Sequence, residues 1–200
     1  MSGEKRICLT FDDGPSEYTE NLLDGLAERN AKASFFLIGN RVEKYRKTVL
    51  RMKEEGHTIG QHTQNHADLT KISEQEVREE INSANEAIMR ITGEHPRYVR
   101  PPFGEYNDRI VLDTDMVFVT WSYSSLDWEF KYPEVVCRRT VNKAFDGAVV
   151  LAHDIFSSSV TGMLKAVDIL KDQGYIFISL DDMVKYRQYE PLIHRVYSRF

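Results

Sequence analysis

Ile7-Cys8-Leu9-Thr10-Phe11-Asp12-Asp13-Gly14-Pro15 is the stretch on which the reading of the chain turns. Ile7–Phe11 lacks clean polar–apolar alternation, the pattern of a strand buried on both faces, as in parallel sheets. It runs directly into two acids, and Asp-Asp-Gly-Pro then makes a good turn. A strand that delivers reactive groups at its C-terminal end is the theme that repeats along the chain.

Six further runs read as strands: Ala33–Ile38, Thr58–His62, Tyr98–Arg100, Met116–Trp121, Ala148–His153 and Tyr175–Ser179. Amphipathic helices lie between them. Ser73 and Glu76 form a capping-box pattern, after which Val77, Ile81, Ala84, Ile88 and Ile91 recur at helical steps until Gly93. Val42, Tyr45, Val49 and Met52 make a second stripe ending at Gly56. Val160, Met163, Leu164, Val167 and Leu170 make a third, ending at Gly174, a residue favoured just beyond a helix.

Strands alternating with helices predict a parallel α/β architecture. A complete eightfold barrel takes about 250 residues. Seven strands in 200 residues therefore predict a distorted, incomplete parallel (β/α) barrel. An open doubly wound sheet is the alternative, but no Gly-rich phosphate loop follows the first strand.

The composition fits one globular domain over residues 1–200, with 42% hydrophobic residues to fill its core. Acids outnumber bases 31 to 26, so the basic excess needed to bind a phosphate backbone is missing and nucleic acid is not an expected partner. No apolar run approaches the length of a membrane span. No apolar signal region precedes Ile7, and Met1-Ser2-Gly3 reads as a start added in cloning. That favours a secreted or cell-wall-associated protein whose export segment has been removed, with a cytoplasmic protein as the other possibility. Cys8 and Cys137 are too few for a disulfide framework or a thiolate metal site and read as buried free thiols.

The reactive residues gather at strand ends. Asp12 and Asp13 end the first strand; His62 ends the third, with His66 four residues on; Arg100 ends the fourth. Asp127 and Trp128 follow the fifth strand, and His153 ends the sixth. In parallel barrels these ends share one rim, which carries the active site. Each signal is weak alone. Two histidines in five residues occur by chance, an Asp pair caps turns, and a strand-end histidine is by default structural. Converging on one rim, they point to a metal site. Carboxylates aimed into a cleft need a cation or an arginine to offset their repulsion. Neighbouring side chains in extended backbone also point apart, so one acid can bind metal while the other stays free. His57, His95 and His194 have no such company and read as structural or exposed; Asp181-Asp182 reads as the cap of a short helix.

With these residues assembled, the chain resembles the polysaccharide deacetylases of the NodB-homology type, carbohydrate esterase family four, from about Ile7 to Met183. Thr10-Phe11-Asp12-Asp13-Gly14-Pro15 matches the first family motif and His62-Thr63-Gln64-Asn65-His66 the second. Arg100-Pro101-Pro102-Phe103-Gly104 matches the third, with Phe where Tyr is common, and Leu151-Ala152-His153 the fifth. The fourth, often Asp-x-x-Asp-Trp, is partial: Asp127-Trp128 is kept, but Ser124 stands in place of the first acid.

The resemblance implies a hydrolase that removes N-acetyl groups from an amino-sugar polymer such as peptidoglycan or chitin, with an acetylated glycan as its partner and the chain acting as a monomer. It implies a divalent ion, zinc foremost and cobalt or another transition metal next, on Asp13, His62 and His66; two imidazoles and one carboxylate suit zinc. Asp12 would be the general base, held by Arg100, and His153 the general acid, oriented by Asp127. The Phe103 N–H would face the oxyanion, and Trp128 and Leu151 would wall the acetyl methyl. Three other readings are weighed against this one: hydrolysis of a small amide on the same fold, a non-haem iron oxygenase using the same ligand trio, and a glycan-binding module without turnover.

Overall fold

A computed structural model of the protein describes residues 4–200; Met1-Ser2-Gly3, read above as an added start, lies outside the described residues. The strands are β1 (Lys5–Asp12), β2 (Ala33–Leu37), β3 (Thr58–Gln61), β4 (Tyr98–Val99), β5 (Val117–Val119), β6 (Tyr123–Ser124), β7 (Ala148–His153), β8 (Tyr175–Phe177) and β9 (Val196–Tyr197). The α-helices are α1 (Thr19–Glu28), α2 (Gly39–Val42), α3 (Arg46–Glu54), α4 (Glu74–Thr92), α5 (Asp108–Leu112), α6 (Pro133–Asn142), α7 (Ser157–Asp172) and α8 (Leu180–Arg187).

The strands pair in parallel in the order β6-β7-β1-β2-β3-β4-β5-β9, with β8 on the start of β1. Only three residues separate β5, near one end of this path, from β6 at the other. The single segment Val117–Ser124 thus pairs with β4 through Val117 and Phe118 and with β7 through Tyr123 and Ser124, curling the sheet back on itself. This is the distorted parallel barrel that the strand–helix alternation predicts. The chain's last residues help fill the gap where β5 and β7 splay: β9 pairs with β5, and Arg199 bridges Ala148.

β1 shows why both faces had to be apolar. Ile7, Leu9 and Phe11 pack in the layer shared with α1 and α7, around Leu22, Leu26, Met163 and Val167. Cys8 alternates to the other face, among Phe36, Tyr98, Val149 and Met183. Thr10 and Asp12 continue that second face, so the inward side of β1 changes from apolar to polar as it approaches the rim.

The helix punctuation behaves as read. Ser73 and Glu76 close a capping box, and Gly56, Gly93 and Gly174 all have positive φ. Three details differ. The expected single helix from Val42 to Met52 is two, α2 and α3, because Tyr45 leaves helical geometry at ψ 33°. α8 is capped by Ser179, whose Oγ accepts the Asp182 N–H, while Asp181 and Asp182 lie in its first turn, where negative charge suits the helix dipole. β6 and β9 bring the strands among the described residues to nine; each is two residues long, too short to show a period. Cys8 and Cys137 are free and buried, and no helix among the described residues is long and apolar enough to cross a membrane.

Candidate active site

A cavity of about 510 Å³ opens at the C-terminal rim. Eight of the ten residues singled out from the sequence line it: Asp12, Asp13, His62, His66, Phe103, Trp128, Leu151 and His153. The other two, Arg100 and Asp127, are wholly buried and reach the cavity through neighbours. The backbone around it is unusually contorted. Asp13, Thr63, His66, Phe103 and Leu126, five of the eight non-glycine residues with positive φ among those described, belong to its loops. Such conformations cost energy and persist where surrounding contacts over-determine them.

Asp13 Oδ1 lies 3.2 Å from His66 Nε2 and 3.5 Å from His62 Nε2. One donor atom from each of the three residues falls within 4.8 Å of the others. Asp13 Oδ1 is buried yet accepts no hydrogen bond. His62 Nδ1 sits 2.6 Å from the Arg100 carbonyl, which can only accept, so Nδ1 carries the hydrogen and Nε2 turns a lone pair towards Asp13. Burial holds the His62 pKa down, which favours the neutral form a metal ligand needs. Burial pushes the Asp13 carboxyl up, but His66, His62 and His153 outweigh it and lower its pKa to about 2. An orphaned buried carboxylate oxygen beside two imidazole nitrogens, one with its tautomer set, fits a divalent cation.

Asp12, still in extended backbone, points inward with Thr10. Its Oδ1 accepts from Arg100 Nη1 at 2.7 Å, and its Oδ2 lies 3.9 Å from His62 Nε2. Arg100 has every arm engaged: Nε donates to the Val119 carbonyl, Nη2 to the Thr120 carbonyl, and Nη1 also to Thr10 Oγ1. Its guanidinium stands 4.0 Å above the Phe36 ring centroid. Burial lowers the Arg100 pKa and Asp12 opposes that shift.

His153 faces the same cavity. Its Nδ1 lies 2.9 Å from Asp127 Oδ1, which leaves Nε2 for the cavity. Burial disfavours the charged ring, but the Asp127 hydrogen bond and charge, with Asp12 and Asp13, raise its pKa to about 9. Asp127 also accepts the His153 N–H at 2.7 Å and the Ser159 hydroxyl. Burial pushes the Asp127 carboxyl up, and these partners more than reverse it. Ser124 has a clear job: its Oγ accepts the Leu126 N–H at 3.0 Å, pinning the turn that presents Asp127. Trp128 stands 54% exposed at the rim, whereas Leu151 is buried.

Sequence reasoning missed Trp121, Pro101 and Leu126 as lining residues, and Ser159 as a partner of Asp127. Trp121 was within reach, since it closes the expected strand Met116–Trp121 on the same rim. Ser159 was not: it sits in the first turn of α7, and only the packing of that helix brings it to Asp127.

Residues 1–117 match the family model described as polysaccharide deacetylase. The chain is 38% identical over 180 residues to the peptidoglycan-N-acetylglucosamine deacetylase PgdA of Listeria monocytogenes, covering 90% of this chain and 39% of that protein. It thus spans about two fifths of the length of the first curated relatives it matches. Among solved structures, a T48 deacetylase with substrate superposes with a TM-score of 0.94 at 36% identity, covering 98% of this chain and 97% of the other. A family 4 acetyl xylan esterase from Clostridium thermocellum, in complex with a cobalt ion, superposes at 0.91 with 28% identity, covering 98% of both chains.

Proposed function

Because the chain belongs to the polysaccharide deacetylase family, we propose that it hydrolyses N-acetyl groups on an amino-sugar polymer, with peptidoglycan as the first substrate to test. The observation that carries this reading is a pair of ion-paired dyads, each presenting one member to the same cavity. Asp12 bound to Arg100 and His153 bound to Asp127 flank the cluster of Asp13, His62 and His66. The similarity to PgdA, a peptidoglycan-N-acetylglucosamine deacetylase, supports the choice of polymer.

Asp13, His62 and His66 would hold the divalent ion, zinc first and cobalt as an alternative suggested by the esterase structure. When bound, the ion supplies Lewis acidity, polarising the acetyl carbonyl and acidifying water. Asp12 accepts the proton of the attacking water on Oδ2, because Oδ1 is committed to Arg100. Arg100 keeps that carboxylate oriented through its bond to Oδ1. The Phe103 N–H is the candidate donor to the oxyanion, a role taken from the family resemblance.

The amide nitrogen leaves only if it is protonated. His153 is the donor: the hydrogen bond and charge of Asp127 favour the protonated ring, and its hold on Nδ1 leaves Nε2 for the cavity. Trp128 and Leu151 border the space for the acetyl methyl, with Trp128 exposed enough to meet the sugar as well. We read the chain as one catalytic unit that works as a monomer on a wall polymer outside the cell. The test is acetate release from peptidoglycan, N-acetylglucosamine oligomers and acetylxylan, with and without chelator. Sugar binding with no acetate from any of them, metal present, would turn the reading to a glycan-binding module.

A further inference from the structure

The geometry points to Asp154 as a positioning residue that couples the segment bearing the acid His153 to the turn bearing Asp12 and Asp13. This rests on the deacetylase reading above and deepens it. Asp154 follows His153 directly at the end of β7, and its side chain is wholly buried. One carboxylate oxygen, Oδ2, accepts the hydroxyl of Thr19, which is wholly buried as well. That hydroxyl accepts the Ser16 N–H at 2.8 Å, and the Ser16 hydroxyl donates to the Asp154 carbonyl at 2.6 Å. The bonds close a ring with Ser16 of the turn after Asp13 and Thr19 at the start of α1 on one side and the side chain and carbonyl of Asp154 on the other.

The other oxygen, Oδ1, is buried and accepts nothing. Both oxygens press on Gly14: a Cβ at that position would lie 2.4 Å and 2.5 Å from them. The opposite side of the same turn is held as well. Ile38 N–H donates to the Gly14 carbonyl and Arg41 Nη1 to the Asp13 carbonyl. The turn is thereby clamped between α2 and Asp154, with Asp13 at φ 71° within it. A buried carboxylate half satisfied by one hydroxyl is costly, and nothing in the proposed chemistry uses it as an acid or base. What it does is tie two loops 135 positions apart that must keep base and acid at a set separation. Misplacement of reacting groups by about 1 Å costs on the order of 10²-fold in rate.

The test compares deletions with isosteric replacements, read as kcat and KM on an N-acetylglucosamine oligomer with the metal-loaded protein. Asp154→Ala and Thr19→Val each open the ring at the Thr19–Asp154 bond, and kcat should fall between about 10-fold and 10²-fold with KM within about twofold. Asp154→Asn and Thr19→Ser keep an acceptor and a hydroxyl and should recover most of that loss. The double variant Asp154→Ala/Thr19→Val should fall no further than the worse single one, because both break the same Thr19–Asp154 bond. If Thr19→Val does not fold, Thr19→Ala, which removes the same hydroxyl, carries the same comparison. The inference is overturned if kcat stays within about threefold of the parent in the deletions, if the loss sits in KM, or if Asn and Ser fail to recover it. A parent protein that releases no acetate would instead sink the deacetylase reading, so the two failures are distinct.

Discussion

Asp12 and Arg100 meet at 2.7 Å across 88 positions of chain, and both are buried. Because Arg100 occupies only Oδ1, the second oxygen of Asp12 is left facing the imidazole cluster. Asp12→Asn keeps the shape and the Arg100 contact but loses the basic oxygen. It should retain metal uptake while kcat drops about 10²- to 10⁴-fold. Acetate release beside metal stoichiometry checks both halves, and a near-parental rate would remove Asp12 as the base. Arg100→Met should act differently, leaving Asp12 an uncompensated buried charge and costing about 3–5 kcal/mol of stability, measurable by urea unfolding.

Asp13, His62 and His66 should share one phenotype. Replacing any of them with Ala should weaken Zn²⁺ binding in calorimetric titration, and chelation should abolish acetate release until a divalent ion is restored. Binding to the folded state alone also stabilises it. At 100 times Kd the gain is about 2.7 kcal/mol, read as a rise in Tm that each Ala variant should lack at the same Zn²⁺ concentration. Undiminished stoichiometric zinc in all three would dismiss the trio as the ligands.

His153 offers a titration with a definite sign. Asp127 and the neighbouring acids raise its pKa to about 9 in the metal-free protein, against an unfolded value of about 6.5. The stability it contributes is therefore complete below about 6.5 and is lost as pH rises through about 9. Histidine-selective NMR of the metal-free protein should show one ring titrating far above the rest. Asp127→Asn should shift that ring to lower pH, and a ring unmoved by the substitution would break the assigned pair.

Ser124 tests whether the missing acid of the fourth motif matters here. Ser124→Ala removes the acceptor for Leu126 N–H and should cost about 0.5–1.5 kcal/mol, along with a fall in kcat as Asp127 loses its set position. Ser124→Asp supplies an acceptor of another kind and should hold both stability and rate close to the parent. Equal damage from Ala and Asp would show that the site requires serine for another reason.

Much of this is legible in the sequence. Strand–helix alternation implied a parallel barrel, and parallel strands end on one rim, so Asp12, His62, Arg100 and His153 had to gather there. Gly93 and Gly174 marked helix ends because local backbone geometry is a local property. The two-residue strands β6 and β9 were invisible for the converse reason: their pairing is decided by Val150, Leu151 and Phe118, far away in the chain.

The chain's own pattern thus determined the barrel, its rim and the kinds of side chain delivered there. It did so through periodicities that repeat within a few residues and through strand direction, which both follow from backbone chemistry. The division of labour between Asp12 and Asp13 was decided only by tertiary structure. Asp12 stays in the pleat and turns inward to Arg100, whereas Asp13, at φ 71°, swings towards His62 and His66. The same holds for Ser159 on Asp127 and Thr19 on Asp154, hydrogen bonds whose partners are 32 and 135 positions apart. Contacts of that reach carry no local signature, because the short-range patterns that set helices and strands are indifferent to which distant loop a side chain will meet.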